Sequence, residues 1–120
     1  MKNKKRKLAA ILFADIVGYT ALMQKDEATA RQNLEKFRNT LNEKVAVYHG
    51  QIIQYYGDGC LCTFDSAVDA TQCAKEIQQI FQSEPKVPVR IGLHSGDVFF
   101  EADNVYGDAV NVASRVESMG

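Results

Sequence analysis

Hydrophobic residues run without interruption from Leu8 to Ala14 and stop at Asp15, a pattern that predicts a strand covered on both faces. Gly18 and Thr20 then mark a turn. From Asp26 onward the apolar positions Ala30, Leu34, Phe37, Leu41, Val45 and Tyr48 step by three or four, which predicts a long helix with one buried face through about His49. Gly50 is its expected stop. Ile52 to Tyr56 and Cys60 to Phe64 are β-rich runs on either side of Gly57-Asp58-Gly59, the composition of a hairpin with Asp58 at its tip. Asp65-Ser66 offers an N-cap to a second helix, whose stripe is Ala70, Cys73, Ala74, Ile77, Ile80 and Phe81 and which ends before Pro85 and Pro88.

Val89, Ile91 and Leu93 alternate with Arg90 and Gly92, and Ser95-Gly96 interrupts the run before Val98-Phe99-Phe100, which predicts a second hairpin. A polar loop from Glu101 to Asn104 follows, then a last helix from Gly107 to about Met119. The order strand, helix, hairpin, helix, hairpin, helix predicts an α+β fold, a mostly antiparallel sheet covered by helices.

Composition narrows the function classes. With 46% hydrophobic and 24% charged residues in a chain of 120, this is ordinary globular material, long enough for one core without staples. The net charge of −1 conceals an uneven distribution: Lys2, Lys4, Lys5, Arg6 and Lys7 are five of the 14 basic residues, and without them nine face 15 acids. An acidic body with a basic lead-in does not suit a DNA-coating surface, and no aromatic-basic interleaving suits single strands. The basic start and short apolar run resemble a signal peptide, but Asp15 ends the run far short of the ~20 residues a membrane span needs. Three cysteines, two of them in the alternating Cys60/Cys62 run, suit small buried thiols in a reducing cytoplasm rather than a zinc site. His49 and His94 lack partners at ligand spacing and read as structural. Tyr19, Tyr55, Tyr56 and Tyr106 read as packing or edge aromatics.

Asp15 stands where a buried strand meets a turn, and Asp58 at a hairpin tip; if their strands are neighbours, two carboxylates converge and call for a cation. Hard divalent ions such as Mg²⁺ bind one or two carboxylates together with phosphate oxygens, so a metal-nucleotide site is one reading. A hairpin-tip aspartate and a helix N-cap are the structural alternatives. Ile16, Val17, Gly18, Tyr19 and Thr20 supply backbone amides in a turn with a glycine, the way phosphates are held without side chains. Asn111 and Arg115 share a helix face four residues apart, which suits charge developing on a transferring phosphoryl group; an exposed pair with Glu117 or Asp108 is the alternative.

Taken together, Leu8-Ala9-Ala10-Ile11-Leu12-Phe13-Ala14-Asp15-Ile16-Val17-Gly18-Tyr19-Thr20, Gly57-Asp58-Gly59, Val89-Arg90-Ile91-Gly92-Leu93-His94-Ser95-Gly96 and Val105-Tyr106-Gly107-Asp108-Ala109-Val110-Asn111-Val112-Ala113-Ser114-Arg115 resemble the class III adenylyl/guanylyl cyclase catalytic domain. The resemblance divides the chain into a basic lead-in, residues 1–7, and a partial catalytic domain, residues 8–120. It implies a ferredoxin-like antiparallel sheet sandwiched by helices and a head-to-tail homodimer, in which one chain supplies the metals and the other the base pocket. Asp15 and Asp58 match the metal-binding aspartates for two Mg²⁺ or Mn²⁺ ions, with the Ile16 carbonyl as a further ligand and the amides of Val17 to Thr20 facing the triphosphate. Arg90 matches a phosphate-contacting arginine, and Asn111 and Arg115 match the pair that orients the ribose and stabilises the pentavalent phosphorus. The implied reaction converts ATP, or GTP, to the 3′,5′-cyclic nucleotide and pyrophosphate. No nucleic acid and no membrane insertion are implied.

Three departures stand out. Gln54 replaces the family's base-selecting lysine, and Asn104 replaces its base-contacting aspartate. An amide can read either purine edge, so the choice between ATP and GTP stays open. The family domain also continues past Gly120 to a triphosphate-gripping lysine, so these 120 residues are expected to be part of a larger cyclase, with weak or no activity alone. The rival reading is a catalytically silent cyclase-homology module that dimerises. More distant is a palm-type polymerase or diguanylate cyclase, which has no need for Asn111 and Arg115 at this spacing.

Overall fold

In a computed structural model of the chain, which describes the backbone of residues 5–101 and 104–106 and the side chains of residues 9–95, the apolar run lies mid-sheet. The elements are β1 (Lys5–Ile16), α1 (Tyr19–Lys25), α2 (Glu27–Val47), β2 (Gln51–Tyr56), β3 (Gly59–Phe64), α3 (Ala67–Gln82), β4 (Val89–Glu101) and β5 (Asn104–Tyr106). The sheet order is β2-β3-β1-β4-β5, with every neighbouring pair antiparallel, so the α+β antiparallel expectation holds.

Successive β1 side chains point to opposite faces, and this divides the core in two. Ala10, Leu12, Ala14 and Ile16 pack with Phe37, Leu41 and Val45 of α2 and with Cys73, Ile77 and Phe81 of α3, where the Phe37 and Phe81 rings stack at 5.8 Å. Ala9, Ile11 and Phe13 form a smaller cluster with Leu61 on the other face. Both long described helices therefore cover one face of the sheet.

The helix limits follow local chemistry. Asp26 caps α2 through Thr29, and Ser66 caps α3 by accepting from the Asp69 amide. The α2 stop is one residue earlier than expected: His49, not Gly50, takes the left-handed conformation at φ 62°. Gly50 serves a different need. A Cβ there would lie 2.4 Å from a Phe64 ring carbon, so only glycine lets that ring close over the chain.

Four further differences have physical causes. α1 follows the expected turn directly, so Gly18 is in the turn but Thr20 is helical; none of its residues is fully buried, so no apolar stripe announced it. β4 runs straight through Ser95-Gly96, because those residues pair with Ala10 and Ala9 of β1 and the ladder overrides glycine's weak strand preference. The second hairpin therefore joins β4 to β5 instead of splitting β4. Lys5, Arg6 and Lys7 are strand residues, paired with Phe100, Phe99 and Val98, rather than a free lead-in. The expected helix from Gly107 lies outside the described residues.

Candidate active site

β1 ends at one end of the sheet beside the β2–β3 turn, and this juxtaposition builds the site. Tyr56 and Gly59 pair across a two-residue turn of Gly57 and Asp58. Gly57 takes φ 56°, the positive value that the primed hairpin turns require at their first central position. Asp15 is the register partner of Gly59, and the Ile16 amide donates to the Asp58 carbonyl at 3.0 Å. The two aspartates singled out in the sequence thus share one end of the sheet.

Gly59 contributes by its size. A Cβ there would lie 2.6 Å from the Tyr56 ring, which instead tilts over Phe13 with centroids 5.3 Å apart.

On its other side Asp15 is the register partner of Arg90 at the start of β4. The guanidinium grips both carboxylate oxygens, Nη2 at 3.0 Å from Oδ2 and Nε at 3.3 Å from Oδ1. The Asp15 side chain is only 14% exposed, and this bidentate pair with Arg90 is its described side-chain partner.

The turn after β1 is partly committed. The Val17 amide donates to the Pro88 carbonyl at 2.8 Å, so, contrary to the sequence expectation, it is not available to a phosphate. The Ile16 amide is likewise taken by Asp58, which leaves Gly18, Tyr19 and Thr20 as the candidate amides. Gly18 has φ 71° and opens α1 with no side-chain cap.

Gln54 is exposed on β2, beside a register irregularity between Ile52 and Gln54. Through Leu61 and Phe13 it lies level with Gly92 of β4, whereas Asn104 pairs with Glu101 at the far end of that strand. Nine residues of strand separate those levels, about 30 Å at roughly 3.3 Å per residue, and β2 and β5 are opposite edges of the sheet. The Asn104 side chain lies outside the described side chains, so the purine pocket expected of Gln54 and Asn104 stays an expectation. Asn111 and Arg115 lie outside the described residues.

The donors at the sheet end are hard oxygens, carboxylate and carbonyl, which is the set that suits Mg²⁺ or Mn²⁺. Among the described residues no group of three or more His, Cys, Asp or Glu could hold a metal by itself. Two carboxylates fit a cation that completes its shell with water and substrate phosphate. Cys60, Cys62 and Cys73 are free and buried, as expected of core thiols, and burial pushes the Cys73 thiol up to about 11. No described helix is long and apolar enough to cross a membrane.

One residue escaped the sequence reading. Arg38 of α2 donates through Nη2 to the Gly57 carbonyl at 3.1 Å. Its partner is 19 residues away, so no helical periodicity could have indicated the contact.

Comparison with known proteins gives the arrangement a context. The family model described as the adenylate and guanylate cyclase catalytic domain matches residues 1–120. A protein of Rhizobium meliloti assigned the name adenylate cyclase 3 is 37% identical, over 96% of this chain and 21% of its own length. The adenylate cyclase of Streptomyces coelicolor is 31% identical, over 92% of this chain and 29% of its own. The crystal structure of an adenylate/guanylate cyclase/hydrolase from Silicibacter pomeroyi is 40% identical, with a TM-score of 0.85, covering 98% of this chain and 73% of that one. The chain thus spans less than a third of the length of these two curated relatives.

Proposed function

Because the chain belongs to the adenylate and guanylate cyclase catalytic domain family, we propose that it is part of a nucleotidyl cyclase that forms a 3′,5′-cyclic nucleotide and pyrophosphate, with ATP as the expected substrate. The observation that carries the reading is the convergence of Asp15 and Asp58 at one sheet end, tied by the Ile16 amide on the Asp58 carbonyl. Adenylate cyclase names among the relatives favour ATP over GTP.

In this reading Asp15, Asp58 and the Ile16 carbonyl hold Mg²⁺ or Mn²⁺. When bound, the ions supply charge neutralisation on the triphosphate and activation of the ribose 3′-oxygen. The chain's own groups do the rest. Amides of Gly18 to Thr20 face the triphosphate at the start of α1. Arg90 exchanges a carboxylate for a phosphate oxygen, since a guanidinium fork fits either. Asn111 orients the ribose so that its 3′-oxygen lies in line with the α-phosphorus and the departing pyrophosphate, and Arg115 stabilises the charge that builds on the equatorial oxygens. Gln54 offers the purine edge a donor and an acceptor. The homodimer brings the metal end of one copy to Asn111 and Arg115 of the other.

The test is product detection by mass spectrometry on the protein in its natural full-length context, with ATP and GTP offered separately in Mn²⁺. Cyclic AMP that disappears in Asp58→Ala is the expected result. Cyclic GMP instead would overturn the substrate assignment. No cyclic product from a folded dimer would overturn the enzyme reading in favour of a silent dimerisation module.

A further inference from the structure

Two successive peptide units of the turn that carries Asp58 are held by different elements. The Asp58 carbonyl accepts from the Ile16 amide at 3.0 Å, which ties the turn to β1. The preceding carbonyl, that of Gly57, accepts from Arg38 Nη2 at 3.1 Å, which ties the turn to α2. The Gly57 carbonyl and the Asp58 amide lie in one peptide plane, so holding that carbonyl fixes the plane from which the Asp58 side chain departs. Glycine at φ 56° imposes no such restraint by itself, because it crosses its conformational map more freely than any other residue.

Arg38 is itself held in place. Its guanidinium carbon lies 5.3 Å from the centroid of the Tyr55 ring, close enough for cation–π attraction. The Tyr55 hydroxyl lies 2.8 Å from Asn42 Oδ1 and 3.2 Å from the Arg38 carbonyl, sharing its proton between two points of α2. The result is a closed loop of contacts from α2 to β2 to the turn and back. Arg38 Nε is buried with no hydrogen-bond partner. A fold tolerates such an orphan when something else determines where the group sits, and here the ring and the Gly57 carbonyl do so.

We propose that Arg38, held against the face of Tyr55, is a positioning residue that orients Asp58 for divalent-cation binding. This rests on the reading of Asp58 as a cation ligand. It is a role exerted through the Gly57 peptide, since the guanidinium reaches the turn at that carbonyl.

The test measures Mn²⁺ affinity by electron paramagnetic resonance, and amide hydrogen exchange at the turn, on the full-length protein and four variants. Arg38→Lys keeps the charge but lacks the planar guanidinium whose Nη2 reaches the Gly57 carbonyl, so it separates positioning from simple electrostatics. Arg38→Ala removes both, Tyr55→Phe removes only the hydroxyl tether and is the mildest change to the fold, and Asp58→Ala is the blank. Arg38→Lys and Arg38→Ala are expected to weaken Mn²⁺ binding about tenfold, the lower end of the effect of losing an outer-shell partner. Tyr55→Phe is expected to weaken it about threefold, and all three to speed exchange at the turn. If the wild type binds Mn²⁺, Asp58→Ala does not, and the Arg38 and Tyr55 variants bind like wild type, the positioning role is overturned while the metal reading stands. If the wild type binds no Mn²⁺, or Asp58→Ala binds as well, both the metal reading and the inference built on it are overturned.

Discussion

Arg90 and Asp15 face each other as register partners on β4 and β1, and the guanidinium closes on both carboxylate oxygens at 3.0 and 3.3 Å. A divalent ion that binds Asp15 has to compete with this fork. With Arg90 37% exposed, the pair is of the partly solvated kind worth about 0.2–1 kcal/mol. Arg90→Ala is therefore expected to tighten Mn²⁺ binding a few-fold while slowing formation of cyclic product, because the proposed phosphate contact is lost. Binding is read by resonance titration and turnover by product formation. Weaker Mn²⁺ binding in the variant would show that Arg90 supports the ion instead of competing with it.

Gly59→Ala places a Cβ 2.6 Å from the Tyr56 ring carbon and forces that ring off Phe13. Overpacking of this kind costs about 1–3 kcal/mol. Urea denaturation should register that loss, with cyclase activity falling further than stability because the displaced ring adjoins the Asp58 turn. A variant as stable as wild type would contradict the close approach.

Phe37 is fully buried and stacked on Phe81. Phe37→Ala is expected to lower stability by about 3–5 kcal/mol through a cavity that α2 and α3 cannot close. Val68 on α3 is 69% exposed, and Val68→Ala should change stability by no more than about 0.5 kcal/mol. Denaturation curves of the two variants check the contrast.

Burial raises the Cys73 thiol to about 11 and the Tyr55 phenol to about 12, from 9.0 and 10.0. Both folded-state values lie above the unfolded ones. Their contribution to stability is therefore full below about pH 9 and is lost as pH rises through about 11 and 12. The urea midpoint should fall between about pH 8 and pH 10.5, and Cys73→Ser should reduce that fall. The same burial predicts that at about pH 8 none of the three thiols reacts with a disulfide reagent until the protein unfolds.

What the sequence revealed and what it hid divide along a physical line. The continuous apolar run, the α2 and α3 stripes and the Gly57-Asp58 hairpin are local patterns, and each was legible before any coordinates. α1 was hidden because none of its residues is fully buried, and the length of β4 because its pairing with the alanines of β1 outweighs Ser95-Gly96. At the site, Asp15 and Asp58 were legible as chemistry, yet their meeting depends on β1 lying next to β3, which is a property of the sheet. The Arg90 fork and the Arg38 contact join residues 75 and 19 positions apart and leave no periodic trace.

The most direct test of the proposed cyclase site assembled from two copies is complementation between Asp58→Ala, which lacks a proposed metal carboxylate, and Arg115→Ala, which lacks the proposed phosphorus-facing cation. Each full-length variant alone is expected to make no cyclic nucleotide. Mixed in equal amounts, half the dimers would pair unlike chains and regain one of two sites, so about a quarter of the wild-type rate should return. Product from either variant alone, or none from mixed dimers verified with two affinity tags, would contradict the account.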